Sequence, residues 1–146
     1  MVHDLYQEII LDHSKRPRNH HPMDHPDREA DGYNPLCGDK LKLFLKMDGD
    51  IVKDASFIGA GCAISTSSAS LMTESIKGKT REEAMKLLEK FHELLTTDVS
   101  VSKELGKLVV FCGVRDYPAR VKCATLAWHT LKNALTEAAP EPATTE

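Results

Sequence analysis

A chain of 146 residues with 41% hydrophobic and 28% charged residues is long enough for one domain with its own core. Its formal net charge of −3 argues against a general nucleic-acid binder, which carries a basic face. No apolar run approaches the ~20 residues that span a bilayer, and the opening MVHDLYQEII lacks the order of a signal peptide, so a cytoplasmic protein with no membrane partner is expected.

Leu5, Tyr6, Ile9, Ile10 and His13 recur at helical spacing and predict a short amphipathic helix over residues 3–13. The following SKRPRNHHPMDHPDREADGYNP carries four prolines, three histidines and many charges, and reads as a long loop. Leu41, Leu43, Leu45 and Met47 alternate with Lys40, Lys42 and Lys46, with Phe44 breaking the polar set, which is the period of a strand. DGD at 48–50 signals a hairpin, and 51–58 supplies the partner strand.

After GAGC, residues 63–77 are rich in Ala and Ser and predict a helix able to lie close to the sheet, with Gly78 as its cap. Thr80 and Glu83 form a capping box ahead of Ala84, Leu87, Leu88, Phe91, Leu94 and Leu95, the clearest helix pattern in the chain. Residues 98–112 predict another short helix, GVRDYPAR a loop, and 121–135 a last helix with Ala124, Ala127, Trp128, Leu131 and Leu135 on one stripe. The tail 139–146, rich in Pro, Thr and Glu, is expected to be disordered, leaving a single α+β domain over 1–138: a small antiparallel sheet packed against α-helices.

Cys37, Cys62, Cys112 and Cys123 need a role other than disulfides if the chain works where thiols stay reduced. Cys37 sits in a Pro/Gly turn, Cys62 just before a helix, and Cys123 in the expected first turn of the last helix, next to Arg120 and Lys122. Free N–H groups and the positive end of a helix favour a thiolate. Adding Asp39 gives three sulfurs and a carboxylate, a donor set that suits tetrahedral Zn2+. On the residues alone, Asp39 reads equally as a turn or edge-strand charge, and Arg120 as a solvated one. Cys112, inside KLVVFC, reads as a small buried hydrophobe. His13, His20, His21 and His25 lack regular ligand spacing and read as surface or capping residues, and His92 and His129 as isolated, solvated ones.

Taken in order, NPLCGD, FIGAGCAISTSSASLM and RVKCATLAWHTL, with GVRDYPAR before the third, resemble the IscU/SufU-like family of iron–sulfur cluster biogenesis proteins. The resemblance runs from LYQEIILDHSKRPRN to about residue 137. Lys122 stands where the scaffold branch usually has histidine, and the stretch 95–119 matches an insertion of the SufU branch. The resemblance therefore implies a zinc-dependent sulfurtransferase that accepts persulfide sulfur from a SufS-type cysteine desulfurase and passes it toward downstream Suf scaffold proteins. Zn2+ would be held by Cys37, Asp39, Cys62 and Cys123, with Cys37 the sulfur acceptor and Arg120 assisting transfer or docking. A histidine of the desulfurase would displace Cys37 from the metal. The alternatives are a scaffold binding a [2Fe–2S] cluster through the same residues, and a structural-zinc interaction domain.

Overall fold

Period-two leucines and three-residue-spaced apolar stripes fold into one sheet covered by helices on one face. The computed structural model describes residues 2–35, 37–96, 103–136 and 143–144. In chain order these form α1 (Val2–Lys15), β1 (Arg28–Asn34), β2 (Asp39–Asp48), β3 (Ile51–Ala60), α2 (Ala63–Ile76), α3 (Arg81–Thr96), a 3-10 stretch (Lys103–Asp116), α4 (Pro118–Thr136) and β4 (Ala143–Thr144). The sheet order is β3-β2-β1-β4, with the first three strands antiparallel. β4 adds two residues parallel to β1, through Gly32↔Ala143 and Tyr33↔Thr144. The rest of the tail expected to be disordered lies outside the described residues.

Leu41, Leu43 and Leu45 of β2 are buried in the core with Leu71, Met72 and Ile76 of α2 and Leu126, Trp128 and Leu131 of α4. The small side chains of α2 let α4 come close: Ser68 Oγ donates to the Ala124 carbonyl at 2.6 Å and accepts from Trp128 Nε1 at 3.2 Å. Trp128 stacks on Phe91 of α3 with centroids 4.7 Å apart, and Phe111 meets Phe91 edge-on. All six apolar residues of the α3 pattern are buried. Thr80 and Glu83 exchange hydrogen bonds as a capping box.

Two segments differ from the sequence expectation. The expected loop before Asn34 holds β1, whose inward positions are Ala30, Gly32 and Asn34. Small or polar residues leave no apolar alternation to read, and the strand is defined by its ladder to β2 instead. GVRDYPAR is not a loop: the 3-10 stretch runs to Asp116 across a break at Gly106, and α4 begins at Pro118. Proline lacks the N–H that a first helical position leaves unpaired, and its fixed φ suits helix entry. Residues 97–102, which include the start of the helix expected over 98–112, lie outside the described residues.

His13 also departs from the surface role expected of it. It is buried between α1 and α2, where Nδ1 lies 2.7 Å from Ser70 Oγ and Nε2 3.8 Å from a Glu74 carboxylate oxygen. Ser70 Oγ also accepts from the Arg18 backbone N–H at 2.8 Å, pinning the loop after α1. His20, His21 and His25 are exposed, as expected. His92 and His129 are neighbours across α3 and α4, with centroids 6.4 Å apart, and His129 is half-buried.

Burial lowers the His13 pKa, with Arg18 and Lys107 lowering it further against the opposing pull of Glu74 and Asp12. Burial likewise lowers that of His129, helped by His92 and Lys132. Both histidines are thus kept neutral by folding, so the unfolded chain takes up more protons. Their stabilising contribution is complete above the unfolded value near 6.5 and is lost as pH falls below it. Urea midpoints should therefore fall between pH 7.5 and about pH 5.5, and His13→Gln should flatten that slope; an unchanged slope in the variant would remove His13 as a source.

Candidate metal centre

The hairpin joining β1 to β2 brings the first two polar groups together. Its ladder closes at Asn34↔Asp39, and both of these side chains are fully buried. Cys37 lies in the turn between them and is exposed. Gly38 takes φ +72°, a conformation L side chains rarely adopt, so the turn can close immediately after the cysteine.

Cys62 is the N-cap of α2, and its sulfur accepts from the Ser65 N–H at 3.4 Å. Its backbone N–H donates to Asp39 Oδ1 at 2.8 Å, and its sulfur stands 4.0 Å from Asp39 Oδ2. Gly61 permits this approach, since a Cβ there would lie 2.7 Å from Asp39 Oδ1. The helix-start setting expected for Cys62 is thus present.

Cys123 is placed otherwise. With α4 starting at Pro118, it lies past the first turn, where the dipole effect has largely faded. It is buried, 3% exposed, with its sulfur 3.1 Å from that of Cys37. Burial first, and then the surrounding Cys37, Cys62 and Asp39, push its thiol pKa up, opposite to the effect expected from Arg120 and Lys122. Anionic donors crowded in a dry site raise one another's proton affinity, and a cation relieves that crowding.

The donor set fits such a cation. One ligand atom from each of Cys37, Asp39 and Cys123 lies within 4.8 Å of the others; Cys62, the fourth expected ligand, stands outside that set and meets it through Asp39 Oδ2 at 4.0 Å. A tetrahedral shell with Zn–S near 2.3 Å spaces its sulfurs roughly 3.8 Å apart, so Cys37 and Cys123, 3.1 Å apart, stand at about coordination spacing. All four cysteines are free thiols, and 3.1 Å between Cys37 and Cys123 is well beyond the ~2.0 Å of a disulfide.

Sequence reasoning missed Asn34. Its side-chain amide donates to Asp39 Oδ2 at 3.4 Å and to Cys123 Sγ at 3.6 Å. The signal was its place ahead of Pro35, which reads as turn chemistry until β1 is recognised as a strand facing inward at every second residue.

In front of the sulfurs opens a cavity of about 1040 Å3. Tyr6, Ile10 and Leu11 of α1 form one wall; Val110, Val114 and Tyr117 form another, and Cys37, Cys62 and Cys123 lie at its base. Arg120 lines the same cavity, with its guanidinium 4.6 Å from the centroid of the Tyr117 ring. Cys112 packs against the core but is only half-buried and lines the cavity too, so it is more accessible than the buried role expected of it.

Residues 5–124 match the family described as the NifU-like N terminal domain. The chain is 44% identical over 129 residues to the zinc-dependent sulfurtransferase SufU of Bacillus subtilis, covering 88% of this chain and 87% of that one. It is 41% identical over 139 residues to the iron–sulfur cluster assembly scaffold protein IscU of Streptococcus pyogenes, covering 94% and 87%. Among solved structures, the putative iron–sulfur cluster assembly scaffold protein for the SUF system of Fervidobacterium islandicum AW-1 superposes with a TM-score of 0.84 at 37% identity, covering 93% of this chain and all of that one. Among the described residues, no helix is long and apolar enough to cross a membrane.

Proposed function

Since the chain belongs to the NifU-like N-terminal domain family, with IscU and SufU proteins of iron–sulfur cluster assembly as its relatives, we propose that it is a zinc-dependent sulfurtransferase. It accepts persulfide sulfur from a SufS-type cysteine desulfurase in the cytoplasm and hands it to downstream Suf scaffold proteins. The observation that carries this reading is the inequality of the three sulfurs. Cys37 is exposed on a glycine-closed turn, Cys62 is tied to the start of α2, and Cys123 is buried.

Cys37, Asp39, Cys62 and Cys123 would hold the zinc, which when bound supplies the positive charge that keeps these donors ionised. The rest of the work falls to the chain itself. The cavity admits the donor's Cys–S–S–H group to the face where Cys37 is exposed. The Cys37 thiolate attacks the outer sulfur and forms a new S–S bond. The donor's own S–S bond breaks, its electron pair leaves on the donor cysteine as a thiolate, and Cys37 carries the S–S–H group. Arg120, on the same cavity wall, steadies the negative charge as it moves between sulfurs. Its place over Tyr117 keeps the guanidinium near the cavity without burying it.

A scaffold for a [2Fe–2S] cluster is the second reading, favoured by relatives named as scaffolds. Lys122 before Cys123 supplies no imidazole for a cluster. The two readings part on colour and turnover. A transferase is colourless with about one zinc per chain and stimulates cysteine turnover by the desulfurase several-fold. A brown protein with no stimulation would establish the scaffold, and a colourless zinc protein with no stimulation a purely structural metal.

A further inference from the structure

We propose that Asn34 is the positioning residue that divides labour among the three sulfurs, holding Asp39 and Cys123 in place so that Cys37 is the one free to react. The inference rests on the metal-bound transferase reading above and extends it to a residue outside the ligand set. Asn34 is fully buried, and its side-chain amide reaches both Asp39 Oδ2 and Cys123 Sγ. One rigid group thus spans two of the four donors. A hydrogen bond to a thiolate draws charge from the sulfur and lowers its nucleophilicity, and the same bond to a carboxylate fixes which oxygen points inward.

The other sulfurs have different restraints. The Cys62 sulfur accepts from the Ser65 N–H of α2, which ties it to the helix start. The Cys37 side chain touches the Cys123 sulfur, and its turn is open to solvent. Restraint therefore increases from the exposed turn inward, and Asn34 supplies it at the buried end. It also sits at the last rung of the β1–β2 ladder, so the backbone fixes the amide that fixes the ligands.

The test compares wild-type protein with Asn34→Leu, which keeps much of the volume and removes both donors. Affinity is read by titrating Co2+ against a chromophoric chelator, and reactivity by mapping iodoacetamide modification of the zinc-loaded protein. Wild type should take up Co2+ with a tetrahedral thiolate spectrum and be alkylated at Cys37. Asn34→Leu should lose about 10- to 100-fold in Co2+ affinity, as for removal of an outer-shell partner, and Cys123 should join Cys37 among the alkylated residues. Asn34→Ser, smaller and still a donor, should fall between the two and serves in place of the leucine variant if that fails to fold. Alkylation still confined to Cys37 in the variants overturns the proposal, whether or not affinity changes. Failure of wild type to bind the metal would overturn the metal-bound reading and this inference with it, whereas binding in wild type with unaltered variants overturns only the role of Asn34.

Discussion

Alanine at position 37 is expected to abolish acceptance of sulfur from the desulfurase, lowering persulfide formation by at least about 100-fold. The effect should be this large because no other cysteine of the candidate centre combines exposure with freedom to move. Cys62 caps α2, so its departure would uncap a helix as well as expose a sulfur. Cys123 lies under the hairpin in contact with Asn34. Cys112 is the control: it lines the same cavity and is half-buried, so Cys112→Ala should leave transfer close to wild type. The measurement is intact-protein mass after incubation with desulfurase and cysteine, scored for the added 32 Da of one sulfur, roughly one per chain. Undiminished persulfide in Cys37→Ala would move the acceptor elsewhere, and loss in Cys112→Ala would show that the transfer uses both thiols.

Metal removal is expected to lower the melting temperature by roughly 10 °C, since a structural ion contributes several kcal/mol and each kcal/mol moves a domain of this size by about 2–4 °C. The reason lies in where the donors come from. Asp39 opens β2, Cys62 opens α2 and Cys123 belongs to α4, so one ion would join the sheet to two helices. Without it, a buried carboxylate and crowded thiols must share the few N–H groups that reach them, from Asn34, Cys62 and Ser65. The experiment is differential scanning calorimetry before and after dialysis against a strong chelator, with zinc restored in a third sample. An unchanged transition would place no ion among these four residues. Asp39→Ala should reproduce most of the shift, as it removes both a ligand and the anchor for the Cys62 backbone.

Much of this architecture is legible in the residues, and the parts that are not have a common cause. The α3 pattern and the β2–β3 hairpin speak through apolar spacing and turn chemistry, which are local. Cys37 and Cys62 also carry local signals, a Gly-closed turn and a helix start. β1 carries none, because Ala30, Gly32 and Asn34 face inward and only their pairing with Leu43, Leu41 and Asp39 makes them a strand. The start of α4 hides behind Pro118, a residue that ends helices from within and begins them from their first position. His13 lies on the apolar stripe of α1, a position that points to burial where its residue type points to the surface. Asn34 carries no signal of its own because its inward place depends on β1. The same hidden start puts Cys123 a turn deeper in α4 than the residues around it suggest.

The chain has a single tryptophan, and its position makes it a built-in optical probe. Trp128 stacks on Phe91, and its indole N–H bonds to Ser68 on the helix that Cys62 heads. It also lies on the same helix as Cys123. Its fluorescence therefore reports directly on the seam between the two helices that carry these cysteines. A shift of emission to longer wavelength would mark separation of α2 from α4, while loss of ligation alone would leave the colour of that emission unchanged. A single spectrum without any attached label can thus tell an emptied centre from an opened fold.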